Sequence, residues 1–209
     1  LAVQERIAAV AEFLGRAGAR VSHTARPSVD TSEVHRVYIA LLRAATSGRQ
    51  TDAMLQANRE RAARLDPADE SYLARMVRAN VMPHRDWLGV NNRRHQLRFA
   101  WAEFFREWDV LLCPAAASAA CPHDQQGERH DRTITVNGKQ VPTTDQLFWA
   151  GFSGFAYLPS TVAPAGFTSS GLPVGVQIIG PQYGDRTCIV LARLLEQEYQ
   201  RFVPPPGFV

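Results

Sequence analysis

The side chains best suited to chemistry in this sequence are its serines, its six histidines and its single lysine, Lys139. A serine hydrolase needs a nucleophilic hydroxyl, a base that accepts its proton, and hydrogen-bond donors for the oxyanion. The sequence contains no Gly-x-Ser-x-Gly elbow, which is a common local signature of such a nucleophile. A Ser-His-Asp triad built from distant residues stays open as an alternative, because triad members need not be neighbours.

Possible metal ligands are concentrated between residues 121 and 131. The run holds Cys121, His123, Asp124, His130 and Asp131. Because this spacing matches no established zinc pattern, we predict a polar surface loop here and no metal site. The three cysteines of the chain are widely spaced and odd in number, so we expect reduced thiols and no disulfide framework.

Cys113 and Lys139 are the remaining reactive candidates. Cys113 ends the apolar run 109–113, just before Pro114, and we predict a small buried side chain there, with pocket lining as the alternative. A reactive thiolate would need nearby positive charge, which the sequence does not locate. Lys139 follows Asn137-Gly138 at a predicted hairpin tip, where its solvated ammonium group is poorly placed to act as a base at neutral pH.

The elements that must position these residues begin with helices. Apolar residues recur at helical spacing from Val3 to Leu14, and Ala19 to Ser22 is predicted as a short strand. A helical subregion, residues 31–107, follows. It is predicted to begin with a capping box at Asp30 and Glu33, followed by a helix over 52–63 and a further helix that starts at Asp66-Pro67. Met82-Pro83 is predicted to break this helix. A long helix then runs to about Trp108, and its stripe of Leu97, Trp101, Phe104 and Phe105 is expected to pack in the core.

After residue 108 the apolar pattern changes from helical to extended. The Asn-Gly pair favours a tight hairpin turn, and the proline-rich tail at 204–206 excludes helix and central strand. The predicted elements are a buried strand 109–113, a loop 115–131, a hairpin 133–136 and 139–141, a helix 144–153, strands 158–163 and 174–179, and a last helix capped by Asp185.

Composition and charge exclude several classes of partner. The chain is 45% hydrophobic and 21% charged, and its net charge of +3 comes from interspersed residues without a basic cluster, so nucleic acid is not an expected partner. No apolar run is long enough to span a membrane. The first residues lack the features of a signal peptide, and we therefore expect a cytoplasmic location.

One block of sequence resembles a known family. Residues 166–185, GFTSSGLPVGVQIIGPQYGD, are similar to the C-terminal block of amidase-signature hydrolases, and residues 157–166 resemble the strand that leads into it. Residues 108–114 match an earlier strand of that family, although threonine is more familiar at position 113. The hairpin at Asn137-Gly138 and the ending at 204–208 are also similar. The resemblance covers nearly the whole chain and is strongest from 108 to 207.

The resemblance implies an α/β fold, with a mixed sheet in a sandwich and helices on both faces. It makes residues 1–209 the C-terminal portion of a single amidase domain, consisting of the helical subregion 31–107 and the strands, hairpin and last helix of 108–209. The family hydrolyses carboxylic amides to an acid and ammonia or an amine through a Ser-Ser-Lys triad, in which a bridging serine with a cis peptide relays the proton. Those parts precede the matched segment, so this chain holds none of the catalytic residues and is expected to be inactive alone.

The resemblance also frames the predicted pocket and partners. Cys113, Pro114 and Ala115, together with Phe148, Trp149 and Phe152, are predicted to lie near the substrate pocket, because strand ends and aromatic segments often line clefts. Plain core packing is the alternative. The expected ligand is a small amide substrate in the full-length enzyme. The expected protein partner is either the missing N-terminal half or a second copy of the chain, because strands 109–113 and 174–179 are apolar enough to be buried on both faces.

No metal or organic cofactor is implied. Ser169-Ser170-Gly171 looks like part of the catalytic loop, but it lacks the preceding glycines and is expected to form a turn. The alternative function is a non-catalytic binding or assembly module, or a protein like the A subunit of tRNA-dependent amidotransferases.

Overall fold

The computed structural model describes residues 2–208 as helices packed on both faces of a small sheet. The α/β prediction is confirmed. The helices of the described residues are α1 (Ala2–Arg16), α2 (Thr31–Ser47), α3 (Asp52–Arg64), α4 (Tyr72–Asn80), α5 (His84–Phe104), α6 (Leu147–Gly154) and α7 (Asp185–Glu198). The strands are β1 (Leu111–Pro114), β2 (Thr133–Val136), β3 (Lys139–Pro142), β4 (Ser160–Phe167) and β5 (Pro173–Ile179).

The main sheet has the strand order β1-β5-β4, and both pairings are antiparallel. Strand β5 lies in the centre, where Gln177 is opposite Cys113 on one side and Val162 on the other. The pairing of β4 with β5 is irregular between Pro164 and Gly166. Strands β2 and β3 form a separate hairpin. Asn137 and Gly138 both have positive φ there, which suits the tight turn that their types predicted.

Two apolar clusters lie on opposite faces of the main sheet, because successive strand side chains point to opposite sides. The first cluster joins Trp101 of α5 and Phe152 of α6 to Leu111, Cys113 and Ile179. The second cluster is formed by α1, α7 and the other face of the sheet. Its buried members are Val3, Val10, Ala163, Ala165, Val174, Val176, Ile178, Cys188 and Leu195. The predicted core role of Trp101 is confirmed, since its side chain is fully buried.

The structure corrects three predictions in the first half of the chain. Residues 19–22 form no strand, because no neighbouring strand is available to pair with them and Val21 is exposed. Helix α4 begins at Tyr72, with Ser71 as its cap, and not at Asp66-Pro67. Residues 66–70 form turns instead, in which the Asp66 carboxylate accepts from the Ala68 amide. Helix α5 ends at Phe104, four residues before Trp108.

The start of α2 is only partly as predicted. The Asp30 carboxylate accepts a hydrogen bond from the Ser32 amide at 2.8 Å, which confirms the cap. The predicted capping box is not completed, because Glu33 binds the guanidinium of Arg93 on α5 at 2.6 and 2.8 Å. This ion pair lowers the pKa of Glu33 and connects α2 to α5.

Candidate active site

A cleft of about 1040 Å³ runs along β1 between α1 and α7, and its far end reaches α6. The irregular segment that follows α1 forms part of its rim. Apolar side chains of α1 and α7 form two of its walls, among them Ile7, Ala11, Val190 and Leu194. The size lies at the upper end of the range for small-molecule sites.

Aromatic side chains of α6 form the wall at the far end of the cleft. The ring centroids of Phe148 and Trp149 are 4.9 Å apart, and those of Phe148 and Phe152 are 5.6 Å apart. The ring of Phe152 also packs edge-on against the buried Trp101 at 5.0 Å. We call Phe148, Trp149 and Phe152 the aromatic wall. Because its rings brace one another and rest on the core, the wall is a preorganised apolar surface.

Gln177 connects the two sides of this end of the cleft. Its side-chain amide donates to the Cys113 sulfur at 3.2 Å and to the Trp149 carbonyl at 3.3 Å. The side chain is buried, so these bonds fix β1 and α6 at a set distance. Sequence reasoning treated Gln177 only as a strand residue. A polar residue alternating with valine and isoleucine at a buried position was the signal that could have identified it.

The Cys113 thiol is unsuited to act as a nucleophile. It is buried, and the loss of solvation raises its pKa to about 11, an effect that the hydrogen bond from Gln177 only partly opposes. The thiolate is therefore scarce near neutral pH. Cys113 is a small, neutral side chain, buried as the sequence predicted, and it also lies among the residues that line the cleft.

The predicted pocket residues fall in one region of the fold, with one exception. Cys113, Pro114 and the aromatic wall line the cleft, whereas Ala115 is not among the lining residues. Their contact with a substrate stays a prediction, since lining a cleft and binding a substrate are different properties.

The rim of the cleft is polar and carries both charges, since Glu107 and Asp109 also line it. Arg20, Arg26 and Arg186 lie around it, together with His23. The Arg20 guanidinium donates to the Glu107 carbonyl at 2.6 Å and lies over the Trp108 ring at 4.3 Å. The same contact holds the irregular segment 19–22 against the end of α5.

A half-buried histidine lies behind the aromatic wall. The ring of His35 on α2 packs against Phe148, with 5.8 Å between centroids, and its Nδ1 has no hydrogen-bond partner among the described residues. Burial and the nearby Arg75 lower the pKa of His35. The imidazole is therefore neutral near pH 7.

The other chemical candidates lie away from the cleft and from one another. Lys139 begins β3 with an exposed side chain, and Ser170 bonds to Thr168 in the turn between β4 and β5. Among residues 2–208 no group of three histidine, cysteine or acidic side chains could hold a metal ion. The described helices include none that is both long and apolar enough to cross a bilayer.

The comparisons with known proteins assign the family. The amidase family model matches residues 1–189, and the chain belongs to that family. Indoleacetamide hydrolase from Bradyrhizobium diazoefficiens is 26% identical over 200 residues, which are 93% of this chain and 34% of that protein. The A subunit of the glutamyl-tRNA(Gln) amidotransferase from Methylocella silvestris is 31% identical over 98 residues, which are 47% of this chain and 18% of that protein.

Solved structures have the same fold at low sequence identity. A bacterial aryl acylamidase of the amidase-signature family superposes with a TM-score of 0.67 at 19% identity, over 95% of this chain and 40% of that one. The A subunit of the Thermotoga maritima glutamyl-tRNA(Gln) amidotransferase gives a TM-score of 0.61 at 18% identity, over 99% of this chain and 42% of that one. The chain thus spans less than half the length of these relatives.

Proposed function

We propose that this chain is the C-terminal part of an enzyme that hydrolyses a carboxylic amide to an acid and ammonia or an amine. The nucleophile, the relay serine and the lysine base belong to the part of the enzyme outside this chain. The observation that carries the proposal is the extent of the match: the family model covers residues 1–189, yet the chain spans only 34% of the indoleacetamide hydrolase.

The two edges of the main sheet support this proposal because they differ. Strand β4 carries Pro164, which cannot donate a hydrogen bond, and its pairing is irregular between Pro164 and Gly166, so this edge is poorly suited to further pairing. Strand β1 carries a proline only as its last residue, Pro114, has no irregularity in its pairing, and pairs only with β5 among the described strands. Its free edge faces the cleft with apolar walls. We propose that the rest of the enzyme joins along β1.

In this proposal the aromatic wall receives the apolar part of the substrate. Cys113 and Pro114 close the end of the pocket, and Gln177 is a positioning residue that holds β1 and α6 together. The neutral Cys113 thiol suits an uncharged amide, because it places no charge in the pocket. Catalysis depends on the residues that the missing part supplies.

The first experiment assays the 209-residue chain with aliphatic and aromatic amides. We expect no turnover from the chain alone, and turnover when the N-terminal part of the enzyme is supplied in trans. Turnover by the chain alone that is lost in Ser170→Ala or Lys139→Ala would overturn the proposal. Activity in neither preparation, although the two parts form a complex, would favour a non-catalytic role.

The second experiment addresses the pocket in the reconstituted enzyme. Trp149→Ala and Phe152→Ala should raise KM for aromatic amides by about 10-fold or more, since each removes a large apolar contact. Phe99→Ala is the matched control, because Phe99 is exposed on α5 outside this cleft. An equal effect of all three substitutions would contradict the assigned pocket.

A role as an amidotransferase A subunit is the second candidate. The similarity to the Methylocella silvestris protein favours it, but that alignment covers 47% of this chain, whereas the hydrolase alignment covers 93%. The two functions can be distinguished by whether turnover requires an acceptor for the released ammonia. A hydrolase releases ammonia from simple amides, whereas an amidotransferase requires its acceptor for efficient turnover.

A further inference from the structure

A second cleft lies between α5 and the residues 156–158 and 181–182. Its volume is about 400 Å³, and it shares no lining residue with the cleft along β1. The polar lining comes from His95, Arg98 and Gln182. The apolar lining is formed by Phe99, Ala102, Phe105, Ala156, Leu158 and Pro181. We call it the α5 cleft.

The positive charge at this cleft has no acidic counterpart. Arg98 lines the cleft, whereas Arg94, one helical turn before it on α5, is not among the lining residues; neither forms an ion pair with an aspartate or glutamate among the described residues. Other arginines of the same helix and its end do so: Arg93 pairs with Glu33, and Arg106 pairs with Glu103. Like charges at this spacing repel each other by a few tenths of a kcal/mol, so an anion bound between them would be favoured.

Both guanidinium groups converge on one aromatic ring. The Arg94 guanidinium carbon is 4.2 Å from the centroid of Tyr157, and that of Arg98 is 5.1 Å away. The Nε of Arg94 is buried and has no hydrogen-bond partner among the described residues. Burial also lowers the pKa of Arg94, and the charge of Arg98 adds to this effect.

The ring that both arginines contact belongs to Tyr157, whose backbone is strained. Its φ is 58°, in the left-handed region that side chains other than those of asparagine and aspartate rarely adopt. The residue lies three positions beyond the end of α6, in a Schellman-type turn in which the Leu158 amide donates to the Ser153 carbonyl and the Tyr157 amide to the Gly154 carbonyl. Glycine is the usual residue at that position. A tyrosine there is expected where the side chain has a role.

Two neighbouring side chains orient the guanidinium group of Arg98. Its guanidinium donates to the Gln182 side-chain oxygen at 2.8 Å and contacts the His95 ring nitrogen at 3.2 Å. These contacts leave the planar group at the wall of the cleft, beside the apolar surface of Phe105 and Leu158. An arginine fork next to an apolar wall is suited to an anion that has an apolar body.

We propose that the α5 cleft binds a small carboxylate with an apolar or aromatic body. The carboxylate interacts with Arg98, and the body lies against Phe99, Phe105 and Leu158. The size of the cleft fits a ligand of this kind and is small for a macromolecular segment. The inference does not depend on the amide reaction, because the two clefts are separate.

Isothermal titration calorimetry of the 209-residue chain tests the proposal with three probes. Benzoate should bind at least about 10-fold more tightly than benzamide, which has the same shape without the charge, and affinity should fall with added salt. Inorganic phosphate has the charge without the apolar body and should bind more weakly than benzoate. Equal affinity for benzoate and benzamide, tighter binding of phosphate, or no measurable benzoate binding would each overturn the proposal.

Variants locate the binding. Arg98→Gln should weaken benzoate binding by about 10-fold or more, because it removes a charged donor, whereas Arg106→Gln, just beyond the end of the same helix, should leave it unchanged. Gln182→Leu, at a surface position that bears little on folding, should weaken binding several-fold by releasing Arg98. Equal effects of Arg98→Gln and Arg106→Gln, or full affinity in Gln182→Leu and Arg98→Gln, would place benzoate elsewhere and refute the site.

Discussion

At the scale of single residues, Gly151 shows how closely α6 approaches α2. A Cβ atom built at this position would overlap the ring of Tyr38 on α2, whereas one at Gly154, on the same helix, would lie 3.9 Å from that ring. The glycine therefore sets the distance between the helix that bears the aromatic wall and the helical subregion. Sequence reasoning identified the aromatic residues of α6 but not this contact, because Tyr38 is more than a hundred residues away along the chain.

We predict that Gly151→Ala destabilises the fold by about 1–3 kcal/mol through overpacking against Tyr38. Gly154→Ala is the matched control and should be neutral or slightly stabilising, since alanine favours helix and the new methyl group meets only ordinary contact. Urea unfolding followed by circular dichroism measures both. Equal stability of the two variants would show that Tyr38 moves aside without cost.

His35 makes the stability of the fold depend on pH. Burial lowers the pKa of the folded imidazole, so the unfolded chain takes up a proton at a higher pH than the folded chain does. The stabilising contribution is complete above the ordinary histidine pKa of about 6.5 and is lost as the pH falls through the lowered folded value. His35→Gln should therefore flatten the pH dependence of the free energy of unfolding below about pH 6.5. His123→Gln, at an exposed loop position, should not.

At the scale of elements, prediction worked where the signal was local. The Asp30 cap, the Asn137-Gly138 turn and the apolar pattern of β5 depend on neighbouring residues, and each was predicted within a few residues. The strand at 19–22 failed because a strand requires a partner, which sequence spacing does not reveal. For the same reason the bridge from Gln177 to Cys113 and Trp149 could not be predicted, since it joins three elements that meet only in the fold.

The long loop between β1 and β2 is organised by one arginine. The Arg132 guanidinium donates to the carbonyls of Asp124, Gln126 and Gly127 at 2.9, 3.0 and 2.8 Å. We predict that Arg132→Gln makes this loop several-fold more sensitive to limited proteolysis while the thermal midpoint of the main fold changes little, because the loop lies outside both apolar clusters. Arg129→Gln in the same loop is the control. Unchanged cleavage in Arg132→Gln would mean that the carbonyl contacts do not order the loop.

At the scale of the whole molecule, the two apolar clusters are unequally covered. The cluster between the sheet and helices α2, α5 and α6 is enclosed by aromatic side chains, whereas α7 leaves Ile189, Val190 and Leu194 partly or largely exposed beside the cleft. The sequence predicted exposed apolar surface, because strands 109–113 and 174–179 are apolar enough for burial on both faces, but not which cluster it belongs to. It could not indicate which edge of the sheet stays open, because strand order follows from the fold alone.

We predict that the isolated chain self-associates at low micromolar concentration through the free edge of β1 and the cleft beside it. Leu112→Lys places a charge in the cleft wall and should reduce the association, whereas Val162→Lys on the β4 edge, where the valine is already exposed, should not. Sedimentation velocity measures the effect, with circular dichroism to verify that both variants fold. A compact monomer that binds no hydrophobic dye would contradict this prediction.

The proline and the bulge of β4 determine how far such assembly can proceed. If two copies pair through β1, a two-fold axis makes the two β1 strands antiparallel, and each strand then occupies the open edge of the other. What then faces outward at both ends of the joined sheet is β4, whose interrupted row of donors offers no template for a third copy. We therefore expect growth to stop at a closed pair, because the irregular β4 edge opposes further strand addition.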